Sequence, residues 1–545
     1  MNARTTRPQR LLALLCAASL ASPLPWSAAH AQTTNPLPSL GDPASEDLTV
    51  GDERRFGEMI MREIWRDPDY LDDPVLLEYV QTMWKRLLAA SRASGNIPED
   101  TEFRYAWEPF LVRDRNVNAF ALPGGYVGVY LGMLALTDTP DELASVLAHE
   151  LSHVTQRHIA RSISNSKRAS ILNAASVLLA VLAASRTRST DAAGAIMNSG
   201  QAAAIQTQLN FSRDAEREAD RVGFQVLSQA GYAPGGMAAM FEKLDQSSRI
   251  NDSGGFPYLR THPLTVERIG EARARLGTAS AVAPVSELEH AVMAARARVL
   301  MDTRAEWLRS LQGGDANTGK EATAGASVAQ KLGAAYASAF ASTLLRDWPR
   351  ADAALAQATV LAQGSPRHDD RALRAVTLLK VESLLARGDL ERAETALDPL
   401  LAETARPVLL LQAQIALAAA AQASAAGRPP APWVMPALKK NAESLQTWVT
   451  TRPRDALAWG TLSQSWAKLD QPLRSLRADA EAHVAIGDLR GAVERLRAAQ
   501  RLVRAGGQVD FIEASVIDSR VRDIEGRRRA ELAEQKKSGG PAEPG

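Results

Sequence analysis

The chain has 545 residues, 46% of them hydrophobic and 23% charged. That length exceeds one ordinary core and predicts two or three domains. Lys and Arg total 63 against 62 Asp and Glu, so no basic excess marks a nucleic-acid binder, and a single cysteine leaves no disulfide frame.

The first 31 residues have the pattern of a secretory signal. Arg4, Arg7 and Arg10 precede the apolar run Leu11 to Leu20, and Ala29-His30-Ala31 is a small-x-small cleavage site. The run is too short to span a bilayer. The only cysteine, Cys16, falls inside it, so cleavage leaves a chain with no thiol nucleophile and no Cys-based metal site. An exported chain near neutrality is expected. Residues 32–50, rich in Pro, Ser, Thr and Gly, suit a mobile leader.

Apolar residues then recur at helical spacing: Phe56, Met59, Ile60 and Ile64, followed by Leu76, Tyr79, Val80, Met83, Trp84, Leu87 and Leu88. DPDYLDDP separates the two helices. Between 101 and 131 the segments FRYAW, PFLV, NAFALPGG and YVGVYL predict a small sheet with a tight turn at Pro123-Gly124-Gly125. A long helix starts near Asp141, with Thr139 or Asp138 as cap before Pro140.

That helix carries LAHELSHVTQRH, residues 147–158. On a regular helix His149 and His153 lie about 40° apart, one turn from each other, so both rings can converge on one tetrahedral zinc. Glu150 is adjacent, near enough to act on a water without being a ligand. His158 is rotated by about 180° from His149 and is expected to point away. A catalytic zinc also needs a third protein ligand. The helical segment FSRDAEREADRVGFQVL, residues 211–227, offers Glu216 and Asp220 on one face and turns Glu218 away. By spacing alone, that face suits a solvated charged surface as well as it suits a ligand and its hydrogen-bonded support.

Further on, ILNAASVLLAVLAA (171–184) is the most apolar stretch after the signal. As a helix it rises only about 21 Å, so a buried or interfacial helix is expected rather than a membrane span. It lies in an insert, 164–208, that could shield the site. Past the linker-like QGGDANTGKEATAGAS the chain is rich in Ala and Leu. LLARGDLERAETAL and HVAIGDLRGAVERL both set a Gly-Asp turn before a helix, LLRDWPRADAAL is a looser copy, and another helix pair turns around Leu469-Asp470-Gln471-Pro472. Turn-bounded helix pairs predict an α-helical solenoid of the tetratricopeptide type.

NAFALPGG, LASVLAHELSHVTQRH and SRDAEREADRVG together resemble the gluzincin metallopeptidases, the family of the heat-shock and CAAX-prenyl endopeptidases. The resemblance covers about residues 50 to 275, and the nearest type is the exported, soluble form with a tetratricopeptide tail that acts in β-barrel assembly. It implies a mainly α protein with a zincin-type metalloprotease domain and small β-sheet, followed by a TPR-like solenoid. One Zn2+ per chain is implied, with His149, His153 and Glu216 as ligands, Glu150 as general base and Asp220 holding a ligand histidine. Asn118, Ala119, Phe120 and Ala121 fall on the strand where such enzymes receive an extended substrate. Thr261-His262-Pro263 matches a family segment; His262 would either stabilise the oxyanion or occupy the metal's open position, with Arg268 in the helix that follows.

The expected organisation is a signal peptide (1–31), leader (32–50), protease domain (51–285), connecting helix and linker (286–330), repeat domain (331–525) and charged tail (526–545). The implied function is periplasmic degradation of misfolded or stalled outer-membrane proteins. The solenoid would grip substrates or the β-barrel assembly machinery, no nucleic acid is involved, and no segment of the mature chain crosses a membrane. The alternative is a latent protease acting chiefly as a chaperone or adaptor.

Overall fold

Thr49 and Asp52 cap each other's backbone N–H groups at the start of the helix Val50–Ile64, whose buried face carries Phe56, Ile60, Met61 and Ile64. We describe a computed structural model, which covers residues 48–165, 212–250, 257–277, 287–313, 325–364, 369–505 and 510–537. The signal segment, nearly all of the leader, the insert beyond 165 and most of the linker lie outside the described residues. The described residues belong to one compact unit.

DPDYLDDP breaks the helix as expected, but it also contributes a strand. Tyr70–Leu71 (β1) pairs antiparallel with Glu108–Val112 (β2). Asp73 then accepts from Leu76 N at 2.8 Å and caps Pro74–Ala93, with Pro74 in the first turn. The apolar series from Leu76 to Leu88 is buried in this helix.

The strand expected at FRYAW does not form. Glu99–Arg104 is a short helix with Glu99, Asp100 and Glu102 in its first turn, where carboxylates favour the N-terminal end, and Phe103 is left 83% exposed. Beyond it the sheet follows the expected punctuation. Ala119–Leu122 (β3) and Tyr126–Tyr130 (β4) form an antiparallel hairpin, and β2 lies parallel to β4 in the order β1-β2-β4-β3. The turn needs glycine. Gly124 and Gly125 have φ of 75° and 85°, and a Cβ on Gly125 would stand 2.9 Å from Tyr105 Cβ. β3 ends the sheet, so one of its edges is unpaired within it.

From Glu287–Leu300 onward the described chain is helical; Glu287–Leu300 packs on Val328–Leu344, and from there each α-helix packs on the next in sequence. The turns repeat one geometry. Arg346, Gly388, Asp470 and Gly487 all have positive φ, and each stands two positions before the first residue of the next helix. Asp347 and Asp488 cap their helices by accepting from Arg350 N and Gly491 N. The last helix, Phe511–Lys537, runs into the segment expected as a tail, where Glu531 pairs with Arg62. Among the described residues, Arg406–Ala425 is the one helix long and apolar enough to cross a membrane; its Val408, Ala413 and Ile415 are buried.

Arginines tie this helical array to the first half. Arg296 bridges Asp73 and Glu382, Arg406 bridges Asp72 and Asp455, and Arg374 bridges Glu78 and Glu403.

Candidate active site

The motif helix is Pro140–Thr155, capped by the Thr139 hydroxyl accepting from Glu142 N at 3.3 Å. All of its residues are buried, so its polar side chains need partners within the protein. The helical phase brings the Nε2 atoms of His149 and His153 to 3.0 Å from each other. Against them packs Arg213–Gln229, whose buried face carries Glu216, Ala219, Asp220 and Gly223. Gly223 permits the close approach, because a Cβ there would sit 3.2 Å from Ala148 O and His149 N.

Glu216 reaches both histidines: Oε2 lies 3.4 Å from His149 Nε2, and Oε1 lies 3.4 Å from His153 Nε2. His262 joins them, its Nδ1 2.9 Å from Glu216 Oε1 and 3.3 Å from His149 Nε2. These four residues form a buried group whose donor atoms lie within 4.8 Å of one another. The edge of a tetrahedron with metal bonds of about 2.0–2.1 Å is about 3.3 Å, so the donor spacings fit a tetrahedral ion. The donor chemistry, imidazole and carboxylate with no thiolate, suits a catalytic rather than a closed structural centre.

Glu150 is fully buried, and among the described residues neither of its carboxylate oxygens has a hydrogen-bond partner. Its Oε1 stands 3.6 Å from His262 Nε2. Such a carboxylate is costly in a resting core and suits a group kept ready to take a proton from a reactant. Tyr258 packs against His262 with ring centroids 4.7 Å apart.

Asp220 Oδ1 lies 3.0 Å from Nδ1 of His149, opposite the ring atom that faces the cluster. Arg268 grips Asp220 with two hydrogen bonds of 2.7 and 2.9 Å and places Nη1 2.8 Å from Glu216 Oε2. Sequence reasoning gave Arg268 little weight. Its signal was its place one turn into a helix whose Thr265 cap follows the T-H-P segment.

The electrostatics follow from this packing. Burial alone would raise the Glu216 carboxyl, but the charge of His262 and hydrogen bonds from His149, His153 and His262 hold it well below the usual carboxylate range. Burial likewise opposes ionisation of Asp220, yet Arg268 and His149 bring it down to about 2. Burial lowers the His153 imidazole well below its ordinary value, which favours the neutral ring. At His149 burial is outweighed by Asp220 and Glu216, which push the ring up to about 10.

His158 does not point away. The motif helix ends at Thr155, Arg157 takes φ of 52°, and His158 swings back to place its Nδ1 2.9 Å from His153 Nδ1. The 180° phase holds only for an unbroken helix, and this one is interrupted where Arg157 binds Glu53 and the Leu48 carbonyl, each at 2.7 Å. His158 remains outside the four-residue group.

Of the residues expected on a substrate-receiving strand, Ala119, Phe120 and Ala121 lie on β3, beside the motif helix. Asn118 precedes the strand, is buried, and leaves its side-chain oxygen without a hydrogen-bond partner among the described residues.

Residues 77–276 match the model of Peptidase family M48. A putative beta-barrel assembly-enhancing protease of Vibrio cholerae is 37% identical over 273 residues, covering 49% of this chain and 52% of the relative. The beta-barrel assembly-enhancing protease of Escherichia coli K12 is 33% identical over 247 residues, or 45% of this chain and 48% of the relative. The mitochondrial metalloendopeptidase OMA1 of Schizosaccharomyces pombe is 30% identical over 250 residues, covering 45% of this chain and 67% of the relative. The chain thus spans about half the length of the two bacterial relatives.

Proposed function

The chain belongs to Peptidase family M48, and from that premise we propose that it is a zinc-dependent endopeptidase of the bacterial periplasm, acting on misfolded or stalled outer-membrane proteins. The observation that carries the proposal is the buried convergence of His149, His153 and Glu216 beside Glu150, whose carboxylate has no hydrogen-bond partner among the described residues.

His149, His153 and Glu216 would hold the ion, and Asp220 would keep His149 in the tautomer that offers Nε2. Bound zinc supplies Lewis acidity, which polarises a carbonyl and makes water a nucleophile at neutral pH. Glu150 takes the proton of the attacking water and returns it to the leaving amine. The outer edge of β3, unpaired among the described residues, receives an extended substrate through main-chain hydrogen bonds, so an unfolded chain suits the site better than a folded one. Residues 51–285 are the proposed protease domain. Residues 331–525 are the proposed TPR-like repeat domain, a surface for substrates or for the β-barrel assembly machinery, reached after signal cleavage near residue 31.

The test compares zinc content and cleavage of an unfolded outer-membrane protein by the wild type and by Glu150→Gln. Both proteins should bind one zinc, and the variant should lose cutting by at least 100-fold. Zinc bound by both proteins, with neither cutting, would sink the enzyme reading.

One observation favours the second reading, a latent protease that works mainly as a chaperone or adaptor. His262 already stands 2.9 Å from Glu216 Oε1, inside the donor group. If it blocks the metal's open position, His262→Ala raises activity; if it stabilises the oxyanion, the same change lowers it.

A further inference from the structure

We propose that His158 and Glu218 are positioning residues, a hydrogen-bond relay that fixes the tautomer and orientation of His153 so that its Nε2 lone pair faces the metal site. The inference rests on the zinc reading above, and it concerns two residues that make no contact with the ion in that reading.

The atoms leave one consistent arrangement. His153 Nε2 faces the donor cluster, 3.0 Å from His149 Nε2 and 3.4 Å from Glu216 Oε1. A nitrogen that ligates a metal carries no proton, so the single proton of the neutral ring must sit on Nδ1. That Nδ1 lies 2.9 Å from Nδ1 of His158, and a hydrogen bond between two ring nitrogens needs one proton. His158 Nδ1 is therefore the acceptor, and its own proton sits on Nε2. There it meets Glu218 Oε2 at 3.1 Å, the same oxygen that Arg161 Nη2 binds at 2.6 Å. The carboxylate sets His158, and His158 sets His153.

The arrangement parallels the other ligand histidine. His149 is backed directly by Asp220, whereas His153 is backed by a carboxylate acting through a second imidazole. The backbone is committed to it. A left-handed φ at a non-glycine is uncommon, and here Arg157 is held in it by Glu53 and by the Leu48 carbonyl. The consequence of that turn is to return the His158 ring to His153. Phase on the helix Arg213–Gln229 sends Glu218 away from Glu216 and Asp220, and this places it at the outer end of the relay.

The experiment is a competition titration of zinc between the full-length protein and the chromogenic chelator 4-(2-pyridylazo)resorcinol. The melting temperature of each metal-free protein is measured alongside. His158→Leu should weaken zinc binding by about 10- to 100-fold, the range seen when such supporting partners are removed. Glu218→Ala should weaken it by part of that factor. Glu218→Gln should restore most of the loss, because a carboxamide oxygen still accepts from Nε2–H. Since Glu218 acts only through His158, the double variant should bind zinc no more weakly than His158→Leu alone.

Unchanged affinity in His158→Leu overturns the relay, as does a double variant in which the two losses multiply. A lowered metal-free melting temperature with wild-type affinity also overturns it, in favour of a packing role. Should His158→Leu not fold, the Glu218 variants decide: equal affinity of Glu218→Ala and wild type sinks the proposal. A wild type that binds no zinc removes the underlying reading and the relay with it.

Discussion

Arg296 is the side chain whose loss should most weaken the union of the two halves. Its guanidinium is buried, binds Asp73 through hydrogen bonds of 2.8 and 2.7 Å, and reaches Glu382 at 3.0 and 2.9 Å and the Tyr336 hydroxyl at 3.0 Å. Arg296→Met keeps much of the volume and leaves two carboxylates facing each other without a counter-charge. Removing one partner of a buried ion pair costs about 3–5 kcal/mol. Burial already raises the Glu382 carboxyl above its ordinary value, with Arg296 opposing the rise. Without the arginine that carboxyl rises further, so below its folded pKa it takes a proton instead of bearing the full penalty. A folded pKa above the unfolded one means stability is lost as pH rises through it, so the deficit of the variant should be largest near pH 8 and should shrink toward pH 5.5. Equilibrium urea unfolding followed by circular dichroism at both pH values measures it. Adding Asp73→Asn and Glu382→Gln should recover most of the loss, since Asn still caps Pro74–Ala93. A deficit under about 1 kcal/mol, or one independent of pH, would refute the reasoning.

Three other outcomes follow from the same geometry. The buried His290 ring donates to the Thr137 carbonyl and accepts from the Tyr79 hydroxyl, and burial lowers its pKa from 6.5 to about 4. Its contribution to stability should be complete above pH 6.5 and lost as pH falls toward 4, a drop of about 3 kcal/mol that His290→Gln flattens in urea titrations across that range. Gly223→Ala should cost about 1–3 kcal/mol and weaken zinc binding, because its Cβ presses the two site helices apart; unchanged zinc affinity in a chelator competition would show that they can yield. Removing the metal with EDTA should abolish cleavage, and zinc at about 100 times its Kd should return about 2.7 kcal/mol of stability by mass action in calorimetry.

Much of the local structure was legible because it depends on residues close in sequence. Thr139 and Pro140 start the motif helix, Pro123-Gly124-Gly125 turns the hairpin, and the Gly-Asp pairs at 388–389 and 487–488 stand before helices. The His149–His153 pairing follows from one helical turn. FRYAW misled because its aromatic look was outweighed by three acids at the start of the helix that takes in Phe103 and Arg104.

The sequence by itself determined which residue types could meet. Two imidazoles one turn apart were certain to share a face, and the E-x-x-x-D spacing put Glu216 with Asp220. Only the tertiary structure decided what stands behind them. Arg268 reaches Asp220 across 48 residues, Arg157 bends the chain by binding Glu53 across 104, and Arg296 reaches Asp73 across 223. Helical phase is a local property that any sequence displays while its helix lasts. Where the helix stops, and which distant charge it stops against, is set by packing between segments that no spacing relates.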